Sequence, residues 1–366
     1  MARIKRVRKA VVGIILSMLS VSLYAAVEVE TEKLDNLAKN RRVAVVNFAV
    51  EYQTKIVKSS SNFGSFSSST VEFNLDGVSK AAMQAQTEKL YEQFVKDLAA
   101  SGIEVVSMSE VKKQEAFLTL KKNCTSPKEI PFTYSDSKGI KNSQALVFSP
   151  LSLPYHNEAD HERSGRLISI SNMCESLAKA FANEVPDKLE KDLAQALNAT
   201  LVKVYYVVGF GQASASVSER FGFNFAKEQN EKTTTHSQNV TSEIYLFPQD
   251  SRLSLRVPDV SSFSMFRNSK SPSADGNGFI RVKEKIVSGT NFAIAEPKNT
   301  TGIDNTLGNA VSALGSVALS MMGAKGGSSS TQEFTVSADE KTYIDITDKL
   351  IGETQSKFIE TLKAGQ

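Results

Sequence analysis

The sequence predicts an α/β protein (α+β in layout), with a mixed sheet flanked by helices and long β-hairpin extensions. Three observations predict it. Leu201–Phe210 is apolar on both faces, with Val202, Val204, Tyr206, Val208 and Phe210 on one side and Leu201, Tyr205 and Val207 on the other, as a central sheet strand reads. Arg42–Tyr52 (RVAVVNFAVEY) is a second strongly apolar run, rich in Val and Phe. Ser79–Ala100 has helical spacing, with Met83, Leu90, Phe94 and Leu98 on one side and Gly102 at the expected stop.

At the amino end, Arg3, Lys5, Arg6, Arg8 and Lys9 precede the apolar run Val11–Val21 and then Leu23-Tyr24-Ala25. A basic start, a short apolar stretch and a small residue at the cut describe a bacterial export signal over residues 1–25, cleaved near Ala25. The apolar run is short for a spanning helix. The mature chain is expected in the periplasm or at the outer membrane, and without a cysteine after the run no lipid anchor is expected there. Of 43 Lys and Arg, five lie in this leader, and the remaining 38 stand against 40 Asp and Glu. The apparent basicity belongs to the leader, so nucleic acid is not an expected partner.

Four blocks follow. Residues 26–123 read as the first half of the core. Val27–Asn40 reads as a weakly helical lead-in, followed by the Arg42 strand. The low-complexity run Ser59–Ser69 (SSSNFGSFSSS) reads as a hairpin tip, and Val71, Phe73 and Leu75 as its return strand. After the Ser79 helix comes the short strand Ile103–Ser107, and Ser107 with Glu110 forms a capping box for a helix to about Leu120. Residues 124–186 read as an insertion with Pro127, Pro131, Pro150 and Pro154, an apolar run Ala145–Phe148 and a helix near Ser171–Asn183. Cys124 and Cys174 are the only cysteines, and in an oxidising compartment a disulfide between them is the default expectation. Closing a loop of roughly 50 residues contributes on the order of 4 kcal/mol in the chain-entropy model; two separate buried thiols are the alternative.

Residues 187–302 carry core strands and their extensions. The helix Asp187–Asn198, with Pro186 at its start, feeds the Leu201 strand. After Gly209 and Gly211 that strand continues with Ala213, Ala215, Val217, Phe221, Phe223 and Phe225 alternating with polar or small residues, and Glu219 breaks the apolar side. The apolar parity moves from even to odd numbers across the glycines, which predicts a bulge or sharp twist there. Lys227–Thr235 turns the ribbon back, and Val240, Ile244 and Leu246 return to the core. The ribbon is a candidate assembly or membrane-facing surface, since it is long enough to cross a bilayer as a tilted strand. Its presumed partner, Thr233–Asn239, is polar on both faces, which favours packing on the protein's own body or on a neighbouring subunit. Arg252–Val257, Phe279–Ile286 and Asn291–Ala295 read as further strands around a Ser/Gly-rich segment, Ser261–Gly278.

Residues 303–366 hold two helical readings. Asn305–Ala324 has no charge and places Gly308, Ser312, Ser316 and Ser320 at four-residue steps, a small-residue stripe for close helix packing, with membrane insertion and a loop as alternatives. Tyr343–Leu362 reads as a short strand edge and a closing amphipathic helix with Leu350, Phe358, Ile359 and Leu362.

The chemistry-bearing patterns are sparse. Gly209-Phe210-Gly211 follows a strand, but Ser214 stands where a dinucleotide fingerprint needs its third glycine and no helix follows, so no nucleotide is expected. His156 and His161 lie among Glu158, Asp160 and Glu162 without the spacing of a zinc motif, and are not nominated as ligands. No nucleophile elbow or phosphate loop is present. No catalytic residue, metal or cofactor is therefore assigned.

In order, RVAVVNF, the Ser79–Ala100 helix, GIEVVS and LAQALNATLVKVYYVVGFG resemble the curli secretion channel family and the related amino-terminal domain of the Tol-system propeller protein. The resemblance implies that Val207-Val208-Gly209 lies on a core strand of that family and that hairpins grow from such strands. In the channel proteins those hairpins join between subunits into one outer-membrane barrel; Gln212–Phe247 stands where the first would be and Ser261–Ala295 near the second. The expectation is a non-enzymatic envelope protein, an oligomerising component of a secretion or surface-appendage assembly, with itself and other proteins as partners and possible outer-membrane contact. A pore-forming channel subunit is one alternative, and a metal-dependent envelope hydrolase working from the His156–Glu162 loop is another.

Overall fold

The computed structural model describes residues 27–34, 42–62, 67–123, 128–134, 143–154, 166–168, 186–224, 229–258, 278–290, 292–298, 316–322 and 329–365. In chain order the first elements are β1 (Val29–Glu32), β2 (Arg42–Asn62), β3 (Ser67–Asp76), α1 (Lys80–Ala100), β4 (Glu104–Val105), α2 (Met108–Val111) and α3 (Glu115–Asn123). Then come β5 (Lys128–Tyr134), β6 (Ser143–Phe148), β7 (Arg166–Ile168), α4 (Pro186–Leu197), β8 (Thr200–Asn224), β9 (Gln229–Leu246), β10 (Arg252–Arg256) and β11 (Gly278–Val282). Last are β12 (Ile286–Val287), β13 (Ala293–Pro297), β14 (Ser316–Met322), β15 (Ser329–Ala338) and α5 (Glu340–Ala364). The strands form one mixed network whose spine runs β1-β11-β10-β8-β2-β3-β15-β13, so the expected α/β class with a helix-flanked mixed sheet holds.

The expected central strand is central. β8 pairs antiparallel with β10 and parallel with β2, and Leu201, Val202, Val204, Tyr206, Val207 and Val208 are all buried. On one face lie α1 and α5. Phe48 meets Phe94 at 6.0 Å and Tyr206 at 5.9 Å, and Tyr206 stacks on Phe358 at 6.0 Å. Both helices start on good caps: Ser79 Oγ accepts from the Ala82 amide at 3.1 Å, and Asp339 Oδ1 accepts from the Thr342 amide at 2.8 Å. Polar groups between them are satisfied across the layer, Gln86 Nε2 donating to Asp348 Oδ1 at 3.0 Å and Gln355 Nε2 to the Leu90 carbonyl at 3.2 Å. Burial pushes the hydroxyls of Tyr52, Tyr206 and Tyr343 well up, so they stay protonated. The other face holds Ala49, Ala145, Val147, Tyr205, Val207, Tyr245 and Phe247, with the Tyr205 hydroxyl donating to buried Glu51 at 2.8 Å.

Several local readings are corrected. Val29–Glu32 is a strand, not helical, because β11 supplies a partner edge and Arg281 holds Glu30 at 2.8 Å. The helix expected to about Leu120 is two helices, α2 and α3, the first capped by Ser107 Oγ as expected. Ser143–Phe148 does not stand apart as part of an insertion: β6 pairs with β2 from Val50↔Phe148 to Lys55↔Gln144 and buries Ala145, Val147 and Phe148. Residues 316–322 are a strand on β9, not a helix. The carboxyl-terminal helix is preceded by the full strand β15, parallel to β3. The leader, both cysteines, the Ser171–Asn183 helix and the His156–Glu162 loop lie outside the described residues.

Candidate functional site

The functional candidate begins where β2 and β8 part company. They run parallel from Val43↔Thr200 to Tyr52↔Val208. Past that point β2 takes β3 as its partner, from Lys55↔Asn74 to Asn62↔Ser67, and β8 takes β9, from Val208↔Leu246 to Asn224↔Gln229. β15 then joins β3, and β14 joins β9. One sheet has become two ribbons, and these turn face to face.

Two glycines make the parting possible. Gly209 to Gly211 on β8 spans Tyr245 to Ser242 on β9, so the ladder carries a bulge at the place the parity change predicts. A Cβ on Gly209 would stand 2.2 Å from the Tyr245 ring, and one on Gly211 would stand 2.4 Å from the Phe73 ring and 2.5 Å from the Thr241 carbonyl. Each glycine therefore seats an aromatic ring of a neighbouring strand. Phe73 packs on Phe210 at 5.1 Å, and the Tyr245 hydroxyl donates to the Gly211 carbonyl at 3.4 Å. Lys285 Nζ lies 4.0 Å over the Tyr245 ring, closing the second face at the seam.

Beyond the seam the interior changes character. Burial alternates along each strand, with Ser67, Ser69, Val71 and Phe73 buried on β3, Ser330, Gln332, Phe334 and Val336 on β15, and Thr234, His236, Gln238 and Val240 on β9. Near the core the facing residues are Phe and Val; farther out they are Ser, Thr, Gln and His. Gln238 is the fastening. Its Nε2 lies 3.0 Å from Ser69 Oγ, 3.1 Å from the Thr70 carbonyl and 3.3 Å from both the carbonyl and the hydroxyl of Ser330, tying β9 to β3 and β15. Farther out, Ser67 Oγ donates to Glu219 at 3.3 Å, which gives the charge that interrupts the apolar side of β8 its place. Burial pushes the imidazole of His236 below its ordinary value.

The sequence-nominated residues divide accordingly. Ala213 and Ala215 pack against the main core cluster and Val217 is half-buried opposite His236, so this part of the ribbon presents its apolar side to the protein's own second ribbon. Its outward positions Gln212, Ser214, Ser216 and Ser218 are exposed. Phe221 and Phe223 stand opposite Lys232 and Asn230 on the hairpin, and Phe225 lies outside the described residues. Ser316 and Ser320 stand opposite Thr241 and Ser237 on a strand, where four-residue spacing makes no helix stripe; Gly308 and Ser312 lie outside the described residues. Cys124 and Cys174 lie outside them too.

Sequence reasoning missed His236, Gln238, Ser69 and Ser330. The signal was there: Thr233–Asn239 is polar on both faces because its buried face meets another polar ribbon. Among the described residues no group of three or more His, Cys, Asp and Glu could hold a metal ion, and no helix is long and apolar enough to cross a membrane. No family model, curated protein or solved structure matches the chain.

Proposed function

We propose that this chain is a non-enzymatic bacterial cell-envelope protein, exported to the periplasm or the outer membrane. It serves there as an oligomerising component of a secretion or surface-appendage assembly, and its contacts are made by the ribbons rather than by the core. The observation that carries this reading is the length and openness of the central strands. β8 has 25 residues and β2 has 21, against about 5–6 for an ordinary strand. At about 3.3 Å per residue β8 reaches on the order of 80 Å, far beyond the sheet that holds its first third. Past Val208 its only strand partner among the described residues is β9, and β14 pairs only with β9. Long open edges are templates for pairing with another chain, and soluble proteins ordinarily blunt them. Gln212–Glu219 carries neither Lys nor Pro.

A pore-forming channel subunit, of the curli secretion type the core sequence resembles, is the second reading. The alternation of Ala213, Ala215 and Val217 favours it, and it requires the ribbon to leave its present partner and turn that side to lipid. Mass measurement of the exported chain with and without detergent, after cell fractionation, tests both readings. A multimer in either condition supports assembly, and a detergent-dependent multimer in the outer-membrane fraction supports the channel. A soluble monomer in both conditions removes both. Deleting Gln212–Ser242 should abolish the multimer while leaving a folded core.

A further inference from the structure

We propose that the outer edge of β15 is where a second copy of this chain docks, the two β15 strands pairing antiparallel across a two-fold axis through Ser329–Thr331. This names the partner and the contact for the assembly reading, and rests on it.

Two stretches of the chain are near-copies. Ser67–Phe73 reads SSSTVEF and residues 328–334 read SSSTQEF, differing only where Val71 stands against Gln332. Each runs on into a helix. Ser79 caps α1 and Asp339 caps α5, and Thr87-Glu88-Lys89-Leu90 on the first answers Thr347-Asp348-Lys349-Leu350 on the second. Thr87 Oγ1 donates to the Met83 carbonyl at 2.9 Å, as Thr347 Oγ1 does to the Tyr343 carbonyl at 2.8 Å. The two strand–helix units lie side by side, with β3 parallel to β15 and like residue against like from Ser68↔Ser329 to Phe73↔Phe334. The fold thus already pairs this segment with its own copy, and Ser68 Oγ donates to Ser329 Oγ at 3.1 Å. On the other side of β3 a third tract pairs antiparallel: Ser59–Ser61 lies opposite Ser68–Thr70, with the Ser59 and Thr70 hydroxyls 2.9 Å apart.

The row of tracts β2, β3, β15 ends at an open edge. β13 covers β15 from Phe334 to Ala338, and the Lys298 amide reaches the Glu333 carbonyl at 2.9 Å. Backbone groups alternate sides along a strand, so those of Thr331 and Ser329 face the same way as that carbonyl. Among the described residues no strand meets them there. Both residues are exposed, and neither charge nor proline blunts this edge. β2 carries Lys58 beside its tract, whereas two β15 edges brought together by a two-fold axis oppose no charges between Ser329 and Gln332. β8 lies over β3 through Phe210 and Phe73, and β9 reaches on to β15 through Gln238. β14, beyond β9, therefore brings a second strand edge to the same side, and a neighbour docked on β15 meets it too.

Light scattering on the exported full chain, in a dilution series with and without detergent, tests this. The wild type should hold an even number of copies, since a two-fold contact closes on itself. Thr331→Pro removes an amide from the free edge and leaves the β3 ladder intact, so it should weaken association about tenfold or more with the melting temperature unchanged. The proposal is overturned, and the assembly reading kept, if the wild type assembles with an odd number of copies or if Thr331→Pro assembles as tightly as the wild type. A wild-type monomer in every condition overturns both. Should Thr331→Pro melt lower than the wild type, Ser329→Lys combined with Thr331→Lys takes its place. That variant sets like charges across the axis without changing the backbone, and is read by the same criterion.

Discussion

The first third of β8 and the rest of it are one strand with two kinds of neighbour. From Leu201 to Val208 it is buried on both faces, under Phe358 on one side and among Ala49, Val147 and Phe247 on the other. From Gln212 to Glu219 one face is exposed and the other meets small and polar side chains. The first part is held by apolar area, which stabilises in proportion to what is hidden from water. The second is held by hydrogen bonds, which replace bonds to water and contribute little net. One strand can thus be rigidly anchored at one end and readily released at the other, and the glycine seam is where the change occurs.

Substitutions on either side should separate the two regimes. Phe48→Ala should have the largest effect. Phe48 is fully buried and touches Tyr91, Phe94 and Tyr206, so the loss should be about 3–5 kcal/mol and should lower the denaturation midpoint of the whole molecule. Gly211→Ala comes next, at about 1–3 kcal/mol. Its Cβ meets a backbone oxygen as well as the Phe73 ring, so β8 must shift against β9. Exchange should rise along the ribbons first, with the Leu201–Val208 segment staying protected. Equal loss in both regions would mean that the seam does not uncouple them. Gln238→Ala should cost about 1–2 kcal/mol and act on the outer ribbons alone, since it strips Ser69 and Ser330 of a common donor.

The same divide explains what the sequence disclosed. The apolar half of β8, the helices around Phe94 and Phe358, and the parity switch at Gly209 were legible because hydrophobic period reports burial against an apolar layer. Where the buried face meets a polar layer, the period vanishes. Thr234, His236 and Gln238 are as buried as Val240, yet on sequence they look like a solvated strand. Ser316–Met322 misled for a related reason: small residues fit a helix stripe and a ribbon equally, and only pairing with β9 decides. β1 and β6 were misread because their partner edges, on β11 and β2, lie far away in sequence. The candidate site was half visible. Its apolar positions and the glycines were found; the polar fastening opposite was not.

The finest test compares neighbours on β3. Ser68 and Ser69 are adjacent, and the pleat sends them to opposite faces. Ser68 Oγ donates to Ser329 Oγ at 3.1 Å on the exposed side, where water can take over either bond, so Ser68→Ala should change stability by less than about 0.5 kcal/mol. Ser69 is fully buried and accepts from Gln238 at 3.0 Å, so Ser69→Ala removes an acceptor from an amide that water cannot easily reach and should cost about 1 kcal/mol. Thermal denaturation of the two variants, each also combined with Gln238→Ala, checks the assignment. The Ser69 effect should shrink in the Gln238→Ala background, because the two residues share one bond, while the Ser68 effect should stay the same. Equal effects from both serines would mean that the ribbons do not face each other in this register. A reversed order would mean that β3 is displaced by one residue, which would turn its whole polar inner row to the solvent.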